Sequence, residues 1–187
     1  VASGTGSVPA FTATNSTTAA ITGTITVTPT LAGCTGPVEV YIITVNPLPV
    51  ITAEPDLTFC AGAAVPLNAF VSTPAGATYT WTNSNTAIGL VASGTGSVPA
   101  FTATNSTTAA ITGTITVTPT LAGCAGPVET YIITVNPLPT VSVTPSAPTI
   151  CTGGSVALTA SGASTYAWSP ATGLSATTGA TVIATPA

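Results

Sequence analysis

Along Ile111 to Thr118 the positions Ile111, Gly113, Ile115 and Val117 alternate with Thr112, Thr114, Thr116 and Thr118. A period of two puts alternate side chains on opposite faces, so the pattern predicts a strand with a core face and a threonine face. Ile21 to Thr28 repeats it. Pro119 and the Ala122–Gly126 stretch predict a turn, and Glu129 to Val135 a partner strand with Tyr131, Ile133 and Val135 on one side. Together they make a closing hairpin.

Upstream, Val50 to Ala53 and Leu57 to Cys60 form a first strand broken at Pro55. Val65 to Val71 is the second, Thr78 to Thr82 the third with Tyr79 and Trp81 on one face, and Ser97 to Thr104 a further one. From Thr140 on, the parallels are Val141 to Val143, Ser155 to Ala160, Tyr166 with Trp168, and Thr181 to Thr185. A Trp-bearing third strand followed later by a hairpin is the order of an immunoglobulin-like β-sandwich.

Residues 1–50 recur as residues 91–140 with three changes: Thr35 against Ala125, Val40 against Thr130, and Val50 against Thr140. Near-perfect duplication at a fixed spacing is the mark of a repeat array, and the chain reads as a cut from one. The paired prolines of Asn46-Pro47-Leu48-Pro49 and Asn136-Pro137-Leu138-Pro139 remove donors and stiffen the backbone, and the module boundaries fall there. Residues 1–49 are then the C-terminal half of one module, 50–139 a complete module, and 140–187 the N-terminal part of a third. About ninety residues is large enough for one modest core. Any export signal or sorting tail is expected in sequence outside this segment.

Composition narrows the function classes. The 187 residues include no Lys, Arg or His, and Glu39, Glu54, Asp56 and Glu129 are the only acids. Without cations there is no electrostatic footprint for nucleic acid or for anionic lipid headgroups. Without His or Lys there is no conventional general base near neutrality and no Schiff-base amine, so no catalytic residues and no cofactor are expected. The abundance of Val, Ile and Thr argues for folded strands rather than disorder. No run reaches the length of apolar sequence that a membrane helix needs, so this segment is not expected to insert in a bilayer.

Cys60-Ala61-Gly62 with Cys151-Thr152-Gly153, Leu67 with Leu158, and Tyr79-Thr80-Trp81 with Tyr166-Ala167-Trp168 correspond between modules, and these positions are expected to fill the core or shape turns. With Gly123-Cys124 and the closing Val135-Asn136-Pro137-Leu138-Pro139, they make the chain resemble the Ig-like and PKD-like repeats of giant Bacteroidetes cell-surface proteins. The duplication favours the long adhesins exported by the type IX secretion system, of which SprB-type gliding adhesins are examples. The resemblance implies tandem sandwiches in an extended array, at the cell surface, in an adhesive filament that serves attachment and gliding motility. Its implied partners are neighbouring repeats, other copies of the filament, and external surfaces or polysaccharide. Related modules also serve as passive spacers in secreted polysaccharide-degrading enzymes, which is the competing expectation.

Cys34, Cys60, Cys124 and Cys151 are disulfide candidates, since an exported protein permits them and metal binding would need clustered ligands. Within the complete module only Cys60 and Cys124 could pair. Immunoglobulin topology places their turns at opposite ends of the sandwich, so two pairings stay open: an intradomain bridge in a modified topology, or bridges between successive domains with partners outside this segment. Tyr79, Trp81, Tyr166 and Trp168 are expected in the core, with carbohydrate stacking by the two tryptophans as the rival role. The threonine ladder could also suggest ice binding, but Thr is equally the best uncharged strand former for a wet face. Glu54 and Asp56 flank Pro55 near the joint where calcium could sit; two carboxylates are few for that ion, and a solvated turn is expected with no metal. Asn15-Ser16-Thr17 and Asn105-Ser106-Thr107 match the glycosylation sequon, a short pattern that chance also supplies.

Overall fold

The computed structural model describes residues 4–185. The protein is all-β, with one 3-10 turn at Thr86–Ile88 among the described residues. No helix among them is long and apolar enough to cross a membrane. The chain forms two compact units. Among the described residues, one takes in those up to Asn105 together with Ala110–Asn136, and the other Ser106–Ala109 with those from Pro137 to Thr185.

In the first unit the main sheet runs Ser93–Thr95, Thr78–Asn83, Ile111–Leu121, Glu129–Asn136, Leu57–Cys60. Its pairs are antiparallel except the last, where Ile133 to Asn136 run parallel to Leu57 to Cys60. Opposite it lie two short pairs, Val50–Ile51 with Ser72–Thr73 and Ala64–Val65 with Phe101–Thr102. Between the layers Ile51, Val65, Phe70, Trp81, Ile88, Leu90, Val98, Ala103, Ile115, Val117, Tyr131, Ile133 and Val135 form one core. This is an Ig-like sandwich, and every residue of its core lies between positions 51 and 135.

The alternation predicted for Ile111 to Thr118 holds, with Ile115 and Val117 wholly buried. The strand, however, continues to Leu121 through Pro119, where the sequence predicted a turn. The Glu129 strand pairs only as far as Val117, and beyond it the Pro119 carbonyl accepts from the Gly126 N–H. Pro119's missing donor therefore faces a side where no ladder bond is required. The turn itself is two residues long, Ala122 (φ 48°) and Gly123 (φ 80°) between Leu121 and Cys124. Both left-handed centres mark a type I′ hairpin turn.

The second predicted strand is broken: Ala64–Val65 and Ser72–Thr73 pair with different partners. Pro66, which cannot donate, follows Val65, and Leu67 is 59 % exposed rather than in the core. The Ser93–Thr95 strand was not anticipated, because its Ser, Gly and Thr carry no apolar alternation. Of the predicted Ser97–Thr104 strand only Phe101–Thr102 and a bridge at Val98 form.

Ahead of the joint, residues 15–45 repeat the closing hairpin. Ile21–Val27 pairs with Glu39–Val45 in the register of Ile111–Val117 with Glu129–Val135, down to Ile21 opposite Val45. The second unit carries a three-stranded antiparallel sheet of Ser142–Thr144, Val156–Ser161 and Thr181–Ala184, with Ala160 and Val182 buried.

Candidate functional site

Because the sheet registers are in phase, the outward positions line up across strands. Thr116 lies opposite Thr82 on one side and Thr130 on the other, Thr118 opposite Thr80, Thr120 opposite Thr78, and Thr134 joins Thr112 to Thr58. The result is a continuous uncharged face of hydroxyl and methyl groups interrupted by Ile132, which is 39 % exposed. Each threonine offers a donor and two acceptors beside a methyl, a combination suited to hydroxyl-rich or mixed surfaces. In the preceding hairpin the face recurs as Thr22, Thr24, Thr26 and Thr44, with Val40 in place of Thr130.

Asp56 and Glu129 serve the backbone. Asp56 Oδ1 accepts the Ile132 N–H at 2.7 Å, continuing the ladder of Leu57–Cys60 where Pro55 diverts the chain. Glu129 Oε1 accepts from the Glu54 N–H at 3.3 Å, and Glu54 Oε2 from Asn68 Nδ2 at 3.3 Å. Among the described residues no group of three or more His, Cys, Asp or Glu is placed to hold a metal ion.

Trp81 is 3 % exposed, its indole lying over Gly94 on the next strand so closely that a Cβ there would collide with Cζ2. That ring is core and presents no stacking platform. Tyr79 is half-buried and packs on Phe70, centroids 5.5 Å apart. In the second unit Tyr166 and Trp168 are half-buried; Trp168 Nε1 donates to the Gly179 carbonyl at 2.8 Å and the Tyr166 hydroxyl to the Ala163 carbonyl at 2.6 Å. They lean on loops rather than fill a core.

The hydroxyl of Tyr131 and Nε1 of Trp81 are buried with no hydrogen-bond partner of good geometry. Burial holds the Tyr131 pKa above the usual phenolic value; the Asn68 side chain offsets part of the rise and the Glu54 charge adds to it.

All four cysteines are free thiols. Cys60 pairs with Asn136 at one end of the Glu129–Asn136 strand, and Cys124 precedes Glu129 at the other. Eight residues at ~3.3 Å each set them roughly 25 Å apart, well beyond disulfide reach. The intradomain bridge is therefore not available in this topology. Cys124 instead lies beside the joint that precedes its module. Pro47 and Pro49 are buried, Asn46 Nδ2 donates to the Ala122 carbonyl at 3.4 Å, and a Cβ on Gly126 would collide with the Pro49 carbonyl oxygen. The turn and the joint are thus one packed contact, visible only once the fold is known.

Both sequon asparagines are engaged by backbone carbonyls of the last strand of their hairpin. Asn15 Nδ2 donates to the Ala19 and Val45 carbonyls, and Asn105 Nδ2 to that of Val135, each at 2.8 Å. The second unit has an open cleft lined by Thr107, Thr108, Leu138, Gly162 and Ser164, with no titratable side chain in its wall.

Residues 57–139 match the family model of the PKD-like domain. The match ends at Pro139, the last proline of the second Asn-Pro-Leu-Pro joint. A comparison with curated protein sequences gives no match.

Proposed function

We propose that this chain is a section of a long extracellular adhesin filament, in which Ig-like modules are strung in tandem to carry and extend an adhesive surface. The observation that carries this reading is the recurrence of residues 1–50 as residues 91–140 with three changes. An enzyme has no use for a duplicated half-body, whereas a filament gains reach with each copy. The PKD-like domain over residues 57–139 is consistent with a structural module. The Pro47–Pro49 joint packs against the Ala122–Gly126 turn, and the threonine face of the closing hairpin recurs in the preceding copy with Val40 in place of Thr130. Many weak contacts repeated along one chain add by avidity. The reading extends to attachment at a cell surface and to gliding, with polysaccharide or solid surfaces as the counterpart.

The test is adhesion of the purified chain to glass, polystyrene and polysaccharide films, read by quartz-crystal microbalance. Retention that survives 1 M salt, as an uncharged face requires, supports the adhesive role. A folded chain that binds none of these is a spacer, of the kind found beside secreted polysaccharide-degrading domains.

A further inference from the structure

We propose that successive modules are stapled across each joint by a disulfide between the cysteine at position 60 of one module and the cysteine at position 124 of the next. The inference rests on the tandem reading above, but its test is independent of adhesion.

The geometry comes from two halves of the same junction. At the trailing end of the complete module, Cys60 stands opposite Asn136 on the adjacent parallel strand, and both are the outward member of their alternation. Adjacent strands are about 4.8 Å apart. At the leading end, Asn46 holds the place of Asn136 in the preceding copy, and its side chain reaches the Ala122 carbonyl at 3.4 Å. Cys124 Sγ approaches that same carbonyl at 4.0 Å. A position-60 cysteine in the preceding module would therefore stand one strand away from Asn46, on the same face, while Cys124 approaches the same Ala122 carbonyl that Asn46 reaches. A disulfide needs Cα atoms within about 7 Å, which the module denies to its own pair, whereas at the joint both positions gather around the Asn46 side chain and the Ala122 carbonyl.

The exposure of the thiols fits. Cys60 is exposed and Cys124 half-buried, and neither contributes to the core. Cys34 repeats Cys124, and Cys151 heads the same Cys-x-Gly turn as Cys60, so in a tandem array each joint would receive one cysteine from either side. Oxidation needs an external disulfide: two thiols and one low-molecular-weight disulfide such as oxidised glutathione give the bridge and two reduced thiols, with the deprotonated thiol as attacking group. The consequence would be a filament whose joints cannot peel apart while its modules stay folded.

The test uses the full chain with residues 50–139 inserted once more after Pro139, which recreates the native Pro49-Val50 junction; the inserted module brings a core that closes within itself. In one version only Cys60 of the first copy and Cys124 of the second are kept, all other cysteines being serine. In a mirror version only Cys124 of the first copy and Cys60 of the second remain. With oxidised glutathione, the first version should lose two hydrogens in mass as a monomer, with both thiols closed to maleimide, at least about 100-fold faster than the mirror version. Equal bridging in both versions overturns the proposal, and so do mixed glutathione adducts alone in the first, provided circular dichroism shows both folded.

Discussion

Tyr41 and Tyr131 hold the same place in two nearly identical stretches of sequence, yet Tyr41 is 59 % exposed and Tyr131 1 %. Their hairpins share a register, Tyr41 opposite Ile25 and Tyr131 opposite Ile115, so local structure does not separate them. What covers Tyr131 is the layer that includes Ile51, Val65, Phe70, Ile88 and Leu90, all upstream of the duplicated stretch. The hairpin is written locally, whereas its burial depends on the other half of the module. Tetranitromethane should therefore nitrate Tyr41 well before Tyr131, read by peptide mass after chymotryptic digestion; equal rates would mean that the layers do not close.

The same burial makes a pH prediction. The folded-state pKa of Tyr131 is raised, by burial first and by the Glu54 charge, with Asn68 opposing. A group with a raised folded pKa contributes stability fully below its unfolded value, about 10, and loses that contribution as pH rises through the folded value. Denaturation midpoints should hold from neutrality to about pH 9 and fall above pH 10. Tyr131→Phe should flatten that alkaline fall, as urea titrations across the range will read.

Gly126 and Gly36 offer a paired substitution within the repeat. An added methyl on Gly126 would run into the Pro49 carbonyl, while on Gly36 it meets Pro29 Cγ at 3.0 Å and no part of a joint. Gly126→Ala should cost about 1–3 kcal/mol and speed amide exchange at Val50 and Ile51, and Gly36→Ala should leave both unchanged. Hydrogen-exchange mass spectrometry on the two variants distinguishes them.

Trp81 requires Gly94 beneath it. Gly94→Ala should destabilise the module by about 1–3 kcal/mol through overpacking and shift the Trp81 emission to the red, leaving the half-buried Trp168 component unchanged. Urea unfolding followed at both emission maxima gives the two numbers.

Ala122 occupies a left-handed position with φ 48°, where a Cβ costs roughly 1 kcal/mol. Ala122→Asn, giving an Asn-Gly I′ turn, should raise stability by up to about 1 kcal/mol while keeping the backbone carbonyl that Asn46 uses. An unchanged or lower melting temperature would contradict the turn assignment.

These contrasts show which levels of structure the sequence carried. Ile115, Val117, Ile133 and Val135 announced their burial by alternation, and the joint by its prolines. Leu67 was misread because a leucine in an apolar run looks buried until the break at Pro66 turns it outward. Pro119 was misread because a proline is tolerated where a neighbour has ended, which is a fact about pairing and not about the residue. The threonine ladder of one strand was legible, but its extension across Thr58, Thr80, Thr82 and Thr130 depends on registers that periodicity does not encode. The packing of the Cys124 turn on Pro49 depends likewise on contacts between distant residues.

The central claim is that residues 50–139 form one self-contained sandwich between proline joints. Stretching the chain between its ends in an optical trap tests it most directly. A cooperative rip that releases about 30 nm, the length of roughly ninety residues at ~3.4 Å each, is the predicted result. A rip of about 60 nm spanning the whole chain, or smooth extension with no rip, would contradict it.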